Sequence, residues 1–182
     1  TVLHYRDAVL HHYTSALATL ELAAAHRDEL LADFQAAGLH AIQLGKEGPV
    51  RNFVLPARAH PERTRALVEL LQRNGVRVQQ VTSTFRVSGR DMRSGKKVRR
   101  AVSPGSYVIS VAQPAGRLVR TLLDRQVEMD EDYVQRQLAR KEDHLPDEIY
   151  DVTAWSLPLA FDVSCVATQQ VIPAELVADL SE

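Results

Sequence analysis

Hydrophobic and polar positions divide the chain into two textures. Over the first 37 residues the apolar positions follow a helical period: Leu3, Leu10, Leu17, Ala24 and Leu31 recur every seven residues, with Tyr13, Leu20 and Phe34 three residues after their neighbours. This predicts one long helix over the first 37 residues, stopped at Gly38 because glycine takes the left-handed conformation that ends helices, within an N-terminal region of residues 1–45 that links to a further domain. The seam suits a coiled-coil strand, an oligomer contact, or a helix lying across a further domain, and Arg27 interrupts it.

From residue 49 the pattern shortens. Val50 to Leu55 is an apolar run closed by Pro56, and Pro61 opens a helical face through Leu67, Leu70 and Leu71 that ends at Asn74-Gly75. Val76, Val78 and Val81 follow as a second strand. Strand, helix and strand in this order predict a βαβ unit with a parallel pair. A polar stretch from Thr82 to Pro104 holds two short strand-like pieces, Thr84 to Val87 and Lys97 to Val102. Pro104-Gly105 turns the chain into a third core strand, Tyr107 to Val111, and Pro114 opens a helix through Leu118, Val119, Leu122 and Leu123. A further helix is predicted from Asp130 to Lys141, acidic at its start and basic at its end as the helix dipole favours. Glu148 to Phe161 reads as another segment, Val163 to Ala167 as a strand, and the rest as a polar tail. These elements predict an α/β domain over residues 46–182, a three-layer α/β/α sandwich, preceded by the long N-terminal helix.

Composition narrows the chemistry. A net charge of −1 over 182 residues excludes a globally basic nucleic-acid binder, so electrostatic function must come from a local patch. The single cysteine, Cys165, can form neither an internal disulfide nor a cysteine-rich zinc site. It sits in an apolar run and reads as a small buried hydrophobe. No apolar run reaches the roughly 20 residues a membrane span needs. Arg6, Asp7 and several histidines interrupt the opening as a signal peptide would not allow. The chain opens without Met and directly on a helical pattern, so we expect a piece of a longer protein, whose compartment stays unknown.

His26 and Glu29, three apart on a helix, have metal-ligand spacing, and His144 or His40 could supply a third ligand. The charged segment around His26 favours a solvent-facing reading, and His11 and His12 point about 100° apart on a helix. Ser106 stands at the entry of a strand, whereas a nucleophile elbow needs the exit. Leu55-Pro56-Ala57-Arg58 cannot wrap a phosphate as a glycine-rich loop does. The residues thus assemble no catalytic or metal site. The strongest local charge feature is Arg86, Arg90, Arg93, Lys96, Lys97, Arg99 and Arg100, offset only by Asp91. These are candidate anion-binding residues, with a solvated arm between two strands as the alternative. With Phe85 alone beside them, base stacking has little support, and no nucleic-acid or membrane partner is expected.

One stretch carries a resemblance. Pro104-Gly105-Ser106-Tyr107, Gln113-Pro114-Ala115-Gly116-Arg117 and Tyr150-Asp151-Val152-Thr153-Ala154-Trp155-Ser156-Leu157-Pro158 together resemble the region beyond the catalytic domain in large bacterial zinc carboxypeptidases of the carboxypeptidase A-like class. The resemblance implies a flavodoxin-like, class I glutamine amidotransferase-like sandwich without the amidotransferase cysteine. It also implies zinc and its ligands in a preceding domain of the parent, none of them transferable here, and a parent that is exported. This fragment would then be a non-catalytic accessory module without a cofactor of its own. Its partners would be its own catalytic domain, the peptide substrate indirectly, and a second copy through the N-terminal helix. Gly105, Gln113, Pro114, Arg117 and Trp155 would have structural jobs: a tight strand entry, a bridge, a helix start and an apolar cluster with Ile149 and Val152. A second reading is a separate module that captures anions with the arm over residues 86–100. A third is a small-ligand pocket at the carboxyl ends of the strands, near Pro56 to His60, Thr82 to Thr84 and Gln113 to Arg117.

Overall fold

A computed structural model describes residues 4–56, 59–125, 130–146, 148 and 156–180. The chain forms two compact units, residues 1–40 and 41–182. In the first, helix α1 (Tyr5–Ala25) passes through a single non-helical residue, His26, into α2 (Arg27–Glu47). His26 keeps both ladder bonds, donating its N–H to the Leu22 carbonyl at 3.0 Å and accepting from the Leu30 N–H at 3.0 Å. The predicted stop at Gly38 does not occur. Good helix formers on either side carry its cost of about 1 kcal/mol, and the helix ends where Gly48 donates to the Leu44 carbonyl. No described residue of α1 is buried, so the seam of Leu10, Tyr13, Leu17 and Leu20 stays exposed. Among the described residues, no helix is long and apolar enough to cross a membrane.

The last turns of α2 belong to the second unit. Ala41 and Gly45 are buried there, and a Cβ on Gly45 would overlap the backbone of Val111 and Ala112. Strand β1 (Asn52–Leu55) follows, buried on both faces. Helix α3 (Pro61–Arg73) starts on its proline and buries Thr64, Leu67, Val68 and Leu71, one stripe at helical spacing. Then come β2 (Gln79–Val81), β3 (Phe85–Asp91), β4 (Lys97–Val102), β5 (Tyr107–Ser110), α4 (Gly116–Leu123) and α5 (Glu131–Glu142). A short α6 (Leu157–Ala160), β6 (Val166–Thr168) and β7 (Val177–Asp179) complete the described chain.

The seven strands among the described residues form one sheet in the order β4-β3-β6-β1-β5-β2-β7, and every neighbouring pair is antiparallel. This corrects two expectations. β1 and β2 run in the same direction, as a βαβ unit requires, but β5 lies between them and pairs with both. β5 and β6 likewise flank β1. Two such split units interlock in the order β6-β1-β5-β2, the arrangement of a ferredoxin-like sheet rather than of a parallel, flavodoxin-like one. The expected polar tail also supplies a strand, β7, at the edge beside β2.

Alternation along the strands sends side chains to two cores. Phe53, Leu55 and Ile109 join Leu67, Val68 and Leu71 of α3 and Val119 and Leu123 of α4 on one face. On the other face Val54, Val81, Val87, Val102, Val108 and Val166 pack together, and among the described residues no helical one takes part. Among the described residues this second face is covered by the sheet itself rather than by a layer of helices. In a flat sheet β2 and β3 would stand four spacings apart, about 19 Å. The chain from Val81 to Phe85 can span only about 14 Å, so the sheet curls into a half-barrel around its valines.

Candidate functional site

Residues 85–102 form one hairpin, β3 and β4 joined by a turn that Asp91 organises. The Asp91 N–H donates to the Lys96 carbonyl, the Asp91 carbonyl accepts from the Gly95 N–H, and Gly95 takes a φ of +71°. The Asp91 carboxylate accepts from the Ser94 N–H at 2.9 Å, the Ser94 hydroxyl at 3.0 Å and the Arg100 guanidinium at 2.7 Å. Burial pushes this carboxyl up, but the two Ser94 donors and the Arg100 charge outweigh it and hold the group below its ordinary value.

The register sorts the seven predicted cations. Val87, Val98 and Val102 turn towards the curled core, so residues at the alternate positions face out. Arg86, Arg90, Lys97 and Arg99 are exposed on that outer face, Arg90 directly across from Lys97 and Arg99 across from Ser88. Lys96 is exposed at the turn. The other two are consumed by structure: Arg100 points the opposite way to Asp91, and Arg93 pairs with Asp162. Asp162, in a left-handed conformation at φ +53°, also accepts from Arg63 at 2.6 Å. The hydrogen bond and charge of Arg93, reinforced by Arg63, hold its carboxyl below the usual range. Among the described residues, Arg86, Arg90, Lys97 and Arg99 have no carboxylate partner. The Arg90 guanidinium donates to the Gly95 carbonyl at 3.1 Å. Phe85 packs against the valine core, which removes the one aromatic near the cations from the outer face.

The bonding of the hairpin's two edges is unequal. Beyond the short β6, side chains complete the inner edge of β3. Thr168 donates its hydroxyl to the Ser88 carbonyl at 2.7 Å, and the Gln170 amide accepts from the Ser88 N–H and donates to the Arg86 carbonyl, both at 3.3 Å. Among the described residues β4 is an edge strand, with β3 as its one neighbour in the sheet.

Of the remaining predicted site residues, Gly105 and Gln113 have structural roles. Gly105 has a φ of +85° and open space where a Cβ would stand, so backbone conformation alone requires glycine there. The buried Gln113 bridges two segments: its carbonyl oxygen accepts from the Arg77 N–H at 2.7 Å, and its amide donates to the carbonyls of Arg77 at 3.1 Å and Ser110 at 2.6 Å. Pro114 precedes α4, whose first residue is Gly116 rather than the proline, and Arg117 is exposed on its first turn. Trp155, Ile149 and Val152 lie outside the described residues. Leu55 pairs with Tyr107, and Asn52 with Ser110 at the other end. The chain therefore leaves β1 and β2, towards Pro56 and Thr82, at one end of the sheet, and leaves β5 towards Gln113 at the opposite end, so the third of the loops expected around a ligand pocket is apart from the other two.

Cys165 is buried in the larger core, and burial pushes its thiol far up, into the protonated form. His26 meets Glu29 at 3.1 Å on an exposed helix surface. Among the described residues, no three histidines, cysteines or acids gather as a metal site would require. Ser106 is buried at the entry of β5. Reading the basic run as an undivided arm missed its two-sidedness. The signal was there in the alternation of Arg86, Ser88 and Arg90 with Val87, and of Lys97 and Arg99 with Val98. No protein-family model, curated protein or solved structure matches this chain.

Proposed function

We propose that this chain is a non-catalytic accessory module whose working surface is the outer face of the β3–β4 hairpin, and that this face holds a polyanionic partner. One observation carries the reading: Arg86, Arg90, Lys97 and Arg99 share that face without a carboxylate, and Arg90 and Lys97 stand directly opposed. Like charges opposed across a strand pair are destabilising. A fold under selection for stability alone would place an acid at one of the two positions, whereas an anion-binding face explains the cost. Anisotropy of a labelled oligo-glutamate tests this. Binding at low ionic strength that weakens steeply as salt rises towards 0.3 M or so is expected, since exposed charge attraction is screened over about 10 Å at 0.1 M. The absence of binding at low salt would overturn it.

The parent we propose for the module is a large bacterial zinc carboxypeptidase. The support is the resemblance over Gly105 to Pro158, and within it Gly105 and Gln113 have roles of backbone and packing that suit a scaffold. On this reading zinc and hydrolysis belong to the preceding domain. The pure fragment should release no C-terminal residue from a peptide, and release that a chelator abolishes would contradict the assignment.

A further inference from the structure

We propose that the partner of the cationic face is an extended acidic peptide, added as an eighth, antiparallel strand to the free edge of β4. This rests on the cationic-face reading above and names the class of ligand. The hairpin's bonding pattern fixes which groups the edge offers. Because the Asp91 N–H bonds the Lys96 carbonyl, the next pair, Arg90 and Lys97, is a non-hydrogen-bonded one. Val98, Arg100 and Val102 then spend their backbone groups on β3, and Lys97, Arg99 and Ala101 turn their N–H and C=O groups outward. Those same three residues are exposed. The opposite edge of the hairpin shows what closure looks like, since Thr168 and Gln170 supply side-chain bonds to Ser88 and Arg86 where β6 ends. No such substitute meets β4 among the described residues.

Charge chooses the occupant. A second copy of β4 would bring Lys97 and Arg99 against Lys97 and Arg99, the arrangement by which edge strands avoid pairing with themselves. A strand with carboxylates at every second position would instead set them beside Lys97 and Arg99, within reach of Arg86 and Arg90 on the same face. Main-chain bonds then supply affinity and the charges supply selection, the usual division in strand addition. In an antiparallel pair the peptide residues directly opposite Lys97 and Arg99 exchange hydrogen bonds with them, so the acidic residues themselves carry the N–H groups that face β4.

That geometry gives the test. Three labelled peptides alternating glutamate with threonine are titrated into the full chain: unmodified, N-methylated on the glutamates, and N-methylated on the threonines. Methylation on the glutamates should weaken binding about tenfold or more, the effect of losing two or three hydrogen bonds. Methylation on the threonines should leave affinity nearly unchanged. Hydrogen exchange should show the Lys97, Arg99 and Ala101 amides protected by the unmodified peptide. Equal affinity for all three peptides, or unprotected amides at saturation, would overturn strand addition while leaving the cationic face standing. Failure of every peptide to bind at low salt would overturn both.

Discussion

Replacing Lys97 with glutamate should make the protein more stable and a poorer binder at once. Lys97 and Arg90 form a non-hydrogen-bonded pair, the type in which Cα atoms approach to about 4.5 Å and side chains lie closest. Two unit charges about 6 Å apart in water interact by about 0.7 kcal/mol. Reversing one charge turns that repulsion into attraction, a swing of about 1.4 kcal/mol before screening. Physiological salt, with a screening length of about 8 Å, cuts this to roughly 0.5–1 kcal/mol. For a chain of this size the melting temperature should rise by about 1–4 °C. Urea melts of the wild type, Lys97→Glu, Arg90→Gln and the double variant isolate the pair term. The gain should shrink in 1 M salt and fall to the smaller part due to Arg99 when Arg90 is already neutral. Oligo-glutamate affinity should fall in the same variant. A Lys97→Glu protein less stable than the wild type, or one whose gain survives 1 M salt, would refute the electrostatic reasoning.

Other positions give independent tests. Gln113→Leu should cost about 1–3 kcal/mol in urea melts because it strands the Arg77 N–H and two carbonyls. Gln113→Glu should be no better, since it sets a carboxylate against both carbonyls. Gly105→Ala should cost only the left-handed backbone penalty, about 1–2 kcal/mol, whereas Gly45→Ala overlaps the Val111 backbone and should lose more in the same melts. Asp91 has a folded pKa below its unfolded value, so its contribution is present above about pH 3.9 and disappears as pH falls through the lower folded value. Asp91→Asn should therefore be less stable at pH 7, and its disadvantage should narrow in melts taken below that pH.

The elements were largely legible in the sequence because their signals are local. Pro61, the leucine stripe and Asn74-Gly75 bound α3, and the valine and tyrosine runs marked β1 and β5. The sheet's order was not legible, because β5 returns between β1 and β2 through contacts between residues distant in the chain. A strand, helix and strand in sequence fit an adjacent parallel pair and a split one equally well. β7 was missed since three residues, Val177–Asp179, carry too short an alternation to stand out from a tail. The basic run was visible as charge, but its division required the register. Arg93 and Arg100 are neutralised by Asp162 and Asp91, one of them 69 residues away, and no local pattern signals that pairing.

The central claim is that four outward cations, rather than the chain's basic residues in general, hold the partner. Two variants decide it: one with Arg86, Arg90, Lys97 and Arg99 changed to glutamine, the other with Arg65, Arg73, Arg136 and Lys141 changed likewise. The slope of oligo-glutamate affinity against salt is measured for each. The hairpin variant should lose low-salt binding and nearly all of the slope, while the other stays close to wild type. Equal losses in both, or none in the hairpin variant, would contradict the account.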